Sequence, residues 1–540
     1  MMPSPRSISY ILFFGLLWSS VSTTSLSEDL KTTISISQVS TEHEQARLLQ
    51  TIANISSAVD TEAARITNGS ISNDSQRAAA TCAVTKLIFP SQIHFPSGLQ
   101  YQVEKDLNWS ESCWLPAACF VRPRTTLELA LLMKIVTSLE GRFAVRSGGH
   151  SPNPGFASVD SSGVLIDLQE LKFLALDESG TLQAGPGNRW GDLWDLAESN
   201  NRSVAGARDR TVGISGCLLG GGMSYFPSVF GMAVDSVTNF EVVLANSTVI
   251  NSNVEDNAAL FRALKGGGSN FGIISRFDIQ THPLIHAQYS LDTYNASDYA
   301  NIMSAIIDTQ HAMEGDEKID LFVSFSPATI EVGLFYADWI MTTIPEFESI
   351  YSLGSRLGSM IPLQNGTIGS LAAALADSSP GYDARRLAST ASTKIDLEVY
   401  IEFHEKYLTI ADAAVANMTY TIEPMSLAMV QKGDDNGGNS LGMAKVPQTW
   451  WSLVAEWQDE ADGAAVEQDL NVVHDSISSL AAAKGLMLDF EFMNHASPSQ
   501  DVLKSYGPSN LDTLKSVAAS YDPGQVFQFL QNNGYLLRKV

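Results

Sequence analysis

The run Arg146-Ser147-Gly148-Gly149-His150 follows the apolar stretch Phe143-Ala144-Val145 and sets a nucleophilic imidazole straight after a two-glycine turn. Glycine has no Cβ to block close approach and tolerates positive φ, so such a turn can offer backbone N–H groups to an anionic pyrophosphate. Arg146 adds a fixed positive charge, and a histidine so placed can bond covalently to a cofactor. On its own, the pentapeptide reads more simply as a hairpin turn with a surface histidine. A second cluster runs from Val212 and Gly213 through Gly216 to Gly220-Gly221-Gly222. Consecutive glycines cost conformational entropy, so the chain must need backbone there that other side chains would block. Both clusters are therefore expected to face one extended ligand. Glu402 and His404 alternate on an expected strand, which would set both on one solvated sheet face.

Elements of regular period must hold these groups. Thr125 and Glu128 have capping-box spacing, and Leu127, Leu131, Ile135, Val136 and Leu139 repeat with helical period up to Gly141. Strands are expected at Phe143–Val145, Val164–Leu168, Phe173–Leu176 and around Leu182, followed by a helix at Trp190–Glu198. A hairpin is expected over Phe240–Leu244 and Thr248–Ile250, then a helix at Ala258–Leu264. The cluster Gly266–Gly272 and a strand at Ile273–Ile279 follow. From about residue 288 the glycine clusters become rare. Strand-like runs at Asp320–Ser326 and Val332–Tyr336 alternate with Ala-rich helical segments at Leu371–Ala376 and Val466–Ala483. The class is α+β.

Composition bounds the function. The chain has 540 residues, enough for two to four domains, and 44% of them are apolar. Lys plus Arg number 33 against 59 Asp plus Glu, a net charge of −26 that argues against nucleic acid or anionic membrane as partner. Arg6, the apolar run Ile8–Trp18 and the small residues after it make a secretory signal peptide, the run being short for a span of ~20 residues. Nine N-x-S/T sequons, at Asn54, Asn68, Asn73, Asn108, Asn201, Asn246, Asn295, Asn365 and Asn417, agree with export and imply N-glycans. In an oxidising compartment at least one disulfide is expected. Cys82 with Cys119 is preferred because it clips the N-terminal segment onto the first folded unit, with Cys82–Cys113 as the alternative. No Cys/His spacing suits zinc, so no metal is expected.

Several motifs are missing or broken. There is no G-x-x-x-x-G-K-[ST], Gly185-Pro186-Gly187 fails the G-x-G-x-x-G pattern, and Cys217 spoils G-x-S-x-G around Ser215. What remains resembles the flavin-dependent oxidases with a vanillyl-alcohol-oxidase-type (PCMH-type) FAD domain, and within them the secreted berberine-bridge-enzyme-like oxidases. The resemblance is carried by Pro116–Pro123, Arg146–His150, Val212–Gly222, Gly266–Gly272, Gln500 with Ser505-Tyr506-Gly507, and Asp522-Pro523 with Val526-Phe527-Gln528. It implies a two-lobed FAD-binding domain plus a substrate domain with an antiparallel sheet covered by helices. The corresponding divisions are a signal peptide at 1–22, a glycosylated extension at 23–114, the FAD domain at 115–288, the substrate domain at 289–488 and a returning segment at 489–540.

The resemblance also implies residue roles. His150 matches the histidine that bonds to the flavin 8α carbon. Arg146, Ser147, Gly148 and Gly149 match the pyrophosphate cradle. Gly213, Gly216, Gly220, Gly221 and Gly222 match backbone along the ribityl chain and ring, and Gly272 with Ile273 matches the segment over the adenosine side. Val212 stands beside the ring, where valine is similar to oxygen-reactive members. Many relatives add a second bond from a cysteine three residues before that valine; here Asp209 stands there, so FAD with a single link is expected. Phe492 and His495, in Phe492-Met493-Asn494-His495, stand where the relatives' Tyr-x-Asn-Tyr has its tyrosines. The resemblance makes His495, which titrates near ~6.5 when unperturbed, the candidate general base, its alternative role being packing or hydrogen bonding at a domain seam. The expected partners are a small organic substrate and O2, acting on a monomer with no membrane attachment after signal cleavage. The rival readings are a flavin-fold cyclase or isomerase without net redox, and a secreted glycoprotein with little turnover.

Overall fold

In the computed structural model, the described residues are 25–376, 381 and 383–540, so the expected signal peptide lies outside them. Residues expected to be helical or loosely ordered before Cys82 form helices at Leu26–Ser35, Glu42–Thr67 and Asp74–Ile88. Each starts on a polar cap: Ser25, Thr41 and Asn73 accept from the backbone N–H three residues on. Leu30, Ile34, Leu48, Ile52 and Val59 are fully buried and pack with Leu127, Leu131, Ile135 and Leu139. Ordered structure therefore begins well before Cys82. The polar composition had masked an apolar stripe. The Cys82–Cys119 disulfide ties the third of these helices to the strand Cys119–Val121.

The helix that receives this N-terminal layer spans Thr126–Ser138, and Thr125 caps it by accepting from Glu128 N at 3.2 Å. Glu128 bonds back to Arg124 N at 2.8 Å, one residue before the expected partner. It covers a sheet in which Cys119–Val121, Gly163–Asp167 and Arg142–Arg146 run parallel and Ile93–His94 pairs antiparallel at the edge. The second lobe is a five-stranded antiparallel sheet in the order Leu174–Leu176, Thr181–Ala184, Ile273–Gln280, Val237–Val243, Val249–Asn253.

The third layer is an eight-stranded antiparallel sheet with Ile319–Phe325, Asn417–Met425, Gln448–Trp457 and Arg385–Thr393 at its centre. Helices Tyr299–Ala312, Leu397–Ala413 and Gly463–Ala483 cover one face through a shared apolar core. Alternation along the strands does the sorting. Ile422, Trp451 and Leu453 enter that core, while their neighbours Glu423, Ser452 and Val454 face a cavity on the other side. The α+β class and the helix-covered sheet hold.

Two expectations fail here. The run Tyr400–His404 is helical, not a strand, because Asp396 caps a helix at Leu397 by accepting from Val399 N at 2.9 Å. Two helical steps turn through roughly 200°, so Glu402 and His404 do not share a face. His404 is fully buried, with Nδ1 2.7 Å from Tyr420 Oη, and Glu402 reaches outward to Lys484. Asn108 is unfit for a glycan: it is buried, its amide donating to Cys113 O at 2.8 Å. Among the described residues, no helix is long and apolar enough to cross a membrane.

Candidate active site

The two glycine clusters cross each other. A Cβ on Gly148 would come within 2.5 Å of Gly213 Cα and N, and one on Gly213 would come equally close to Gly148. Only two glycines let these backbones touch, so part of the glycine requirement is chain against chain rather than chain against ligand. Gly149 adopts φ +68° and accepts through its carbonyl from Trp109 N at 2.9 Å. Asn494 ties the second cluster to the returning segment, donating to Gly216 O at 2.8 Å and accepting from Gly222 N at 3.1 Å.

Beside this crossing lies a cavity of about 500 Å³, within the range of small-molecule and cofactor sites. Ser147, Gly148, Gly149, His150, Val212 and Gly213 line it, as do Gly216, Gly220, Gly272, Ile273 and His495. A Cβ at Gly216 would meet nothing within 4 Å. Gly221 and Gly222 do not line the cavity. Their positive φ of +112° and +73° turns the chain behind the wall, against Leu441 and Cys217. Arg146 is also out of place for a cradle. Val145 lines the cavity, and strand alternation sends Arg146 to the other side. There it is buried, donating to Asp167 Oδ2 at 2.7 Å, Glu104 O at 2.7 Å and Glu104 Oε2 at 3.1 Å. A buried guanidinium needs such full pairing, and none is left for a phosphate.

His150 stacks on Trp109 with ring centroids 5.0 Å apart and planes 14° apart. Its Nε2 lies 3.1 Å from Thr211 Oγ1. Burial lowers its pKa to about 4 against the opposing pull of Asp209, so the ring is neutral near pH 7 and keeps a nucleophilic lone pair. Cys217 is buried in the same wall, and desolvation lifts its thiol to about 12, which leaves it inert. Asn153 Oδ1, Ser215 Oγ and Gln531 Oε1 belong to residues of the wall and have no hydrogen-bond partner among the described residues. Glycine backbone, orphaned polar atoms and a neutral histidine in one cavity of this size fit a dinucleotide such as FAD.

The far end has other chemistry. His495 closes a turn by donating its N–H to Phe492 O at 3.0 Å, and its ring sits 4.9 Å from that of Phe492. Desolvation lowers its pKa, opposed by Glu423 and reinforced by Arg208, and all three residues line the cavity. Glu423 is buried, and its Oε2 has no hydrogen-bond partner among the described residues. Arg208 is held by Asp320, at 3.1 and 3.3 Å, and its Nε and Nη1 are likewise unmatched. Sequence reasoning missed Glu423 and Arg208. The available signal was a lone carboxylate in the otherwise uncharged strand Asn417–Met425.

Known proteins share the domain and the fold. The FAD binding domain family matches residues 117–253. An FAD-dependent monooxygenase of Arthrobotrys oligospora is 34% identical over 460 residues, covering 84% of this chain and 89% of its own. The fold is similar to Physcomitrella patens BBE-like 1, with a TM-score of 0.70 at 16% identity over 82% of this chain and 97% of that one. It is also similar to the glucooligosaccharide oxidase of Acremonium strictum, which carries 6-S-cysteinyl, 8α-N1-histidyl FAD, with a TM-score of 0.69 at 17% identity over 86% of this chain and 99% of that one. With a third of its residues shared along most of both chains, this protein belongs with the enzyme of Arthrobotrys oligospora to the FAD-dependent oxidoreductases built on a PCMH-type FAD-binding domain.

Proposed function

We propose that the protein is an exported oxidase that draws a hydride from a small organic substrate, with FAD attached through His150 alone and O2 as the final acceptor. The observation that carries this reading is the single cavity lined by the glycine crossing and His150 as well as by His495, Glu423 and Arg208. Bound FAD supplies a two-electron acceptor whose electrons pass on to O2. The protein's own residues do the rest. His495 is neutral and takes the substrate's hydroxyl proton, with Glu423 beside it to stabilise the imidazolium that results. Arg208 donates to a second substrate oxygen. Phe492, Val454 and Ala388 line the cavity and keep water from the reacting carbon. A wall that is apolar over most of its area suits a natural-product intermediate better than a sugar, whose many hydroxyls would each need a polar partner.

Single covalent attachment is supported by Asp209, where doubly linked relatives carry cysteine, and by the inert thiol of Cys217. Export is supported by the N-terminal apolar run and by the disulfide. Anaerobic mixing with candidate alcohols and pathway intermediates tests the main reading: the visible flavin band should bleach, and peroxide should appear when air is admitted. A substrate turned over without bleaching would make the protein a non-redox cyclase instead. A second reading, oxygen insertion, is favoured by the name of the 34%-identical relative. Turnover under ¹⁸O₂ separates the two, since an oxidase leaves the product unlabelled.

A further inference from the structure

Asp209 has a task of its own, readable from its contacts. Thr211 donates both its backbone N–H and its hydroxyl to Asp209 Oδ1, each at 2.7 Å. A threonine hydroxyl has one hydrogen and two lone pairs. With that hydrogen committed to Asp209, Thr211 Oγ1 can only accept at its 3.1 Å contact with His150 Nε2. Nε2 must then carry the ring's hydrogen, and Nδ1 is left with the lone pair. Two further contacts hold this arrangement. The Thr211 carbonyl accepts from Arg189 Nη1, and Trp109 stacks flat on the imidazole, itself under the Arg386 guanidinium at 4.4 Å.

We propose that Asp209 and Thr211 form a proton relay that fixes His150 in the Nε2–H tautomer and carries away its proton as Nδ1 bonds to the flavin 8α carbon. The proposal rests on the covalent attachment put forward above. In that step one hydrogen of the 8α methyl leaves as a proton, and the Nδ1 lone pair becomes the new N–C bond. The electron pair left on the ring system goes to dioxygen, the two-electron oxidant, giving hydrogen peroxide with two protons. Bond formation leaves the imidazole positive. The Nε2 hydrogen then moves to Thr211 Oγ1 as the threonine hydroxyl proton moves to Asp209, which releases it to solvent. The two protons lost are thus one from the methyl group and one from His150.

A carboxylate at 209 therefore serves the first link in place of making a second. Without the relay, His150 would lose its tautomer preference and its proton acceptor, but the cavity would keep its shape. Asp209 and Thr211 are positioning residues.

The experiment adds FAD to protein from riboflavin-limited cells and follows covalent incorporation by mass spectrometry of the His150 peptide. Total bound flavin and thermal midpoint are measured on the same samples. The wild type should couple fully, with the added mass on His150. Thr211→Val and Asp209→Asn should bind FAD normally but couple at least about tenfold more slowly, the loss expected for a hydrogen bond to a charged group. Thr211→Ser, which keeps the hydroxyl, and Asp209→Glu, which keeps the carboxylate, should recover much of the rate. That rescue is a result a purely structural role would not give. Should either loss variant fail to bind FAD, its conservative partner still reads the relay, and coupling no faster than in the other loss variant would overturn it. Wild-type speed in both Thr211→Val and Asp209→Asn would overturn the relay alone, while a wild type with no covalent flavin would overturn the attachment and the relay together.

Discussion

At the His150 end of the cavity the wall is largely backbone, whereas at the His495 end it is side chains brought from segments far apart in the chain. Gly148 and Gly213 pack backbone on backbone, and Gly216 opens onto empty space. Arg208, Glu423, Ser452 and His495 come from a loop, two sheet strands and the returning segment. The difference teaches a division of labour. A surface of glycine backbone can hold a cofactor whatever side chains surround it, because backbone donors do not vary with sequence. A surface of side chains can be rewritten residue by residue, and that is where a substrate must be chosen.

Substitutions at the two ends should therefore fail in different ways. The largest effect is expected from His150→Ala: flavin that stays with the acid-denatured wild-type polypeptide should be released entirely, although the native variant still binds it. Retention of flavin by that variant would move the anchor elsewhere. Next comes Glu423→Gln, which should lower the rate of anaerobic flavin reduction about 100-fold, the ordinary cost of losing a group that stabilises charge developing in the transition state. Its flavin content should not change, so stopped-flow and absorbance together separate chemistry from binding. Gly148→Ala should do the reverse. Its Cβ meets the Gly213 backbone at 2.5 Å, so bound flavin should fall about tenfold and stability by about 1–3 kcal/mol, as for overpacked cores. Gly216→Ala, with open space at its Cβ, should melt with the wild type.

The smallest effect lies beneath the eight-stranded sheet. Burial holds His404 down to about 4 from an ordinary value of 6.5, so the unfolded chain takes up this proton first as pH falls. The stability contributed by the neutral ring is complete above pH 6.5 and is lost as pH drops toward about 4. Thermal midpoints across that window should slope downward on acidification, and His404→Gln should flatten the slope. An unchanged slope would place the acid sensitivity in other groups.

The same contrast explains what could be read in the sequence. The helix Ala258–Leu264 lies where periodicity set it, and the helix read at Trp190–Glu198 runs one residue further, to Ser199. Capping residues and apolar repeats are local, and so are their consequences. Thr125 capped its helix for the same reason. Tyr400–His404 misled because β-branched and aromatic residues favour strands, while the deciding Asp396 cap lay just upstream. Arg146 was the right kind of residue pointing the wrong way, since a shift of one position on a strand changes its face. Glu423 had no motif around it at all.

The sequence alone pointed to the family, the paired glycine clusters, the histidine beside them and the helix-covered sheet. These depend on short-range patterns: glycine where no Cβ fits, and apolar residues at periods of two or 3.6. Only the tertiary structure decided that Arg146 pairs with Asp167 and Glu104, that Gly148 meets Gly213, and that Glu423, Arg208 and His495 line one cavity. Those facts depend on sheet register and on how distant segments pack, and a side chain's neighbours across a cavity leave no trace in its neighbours along the chain.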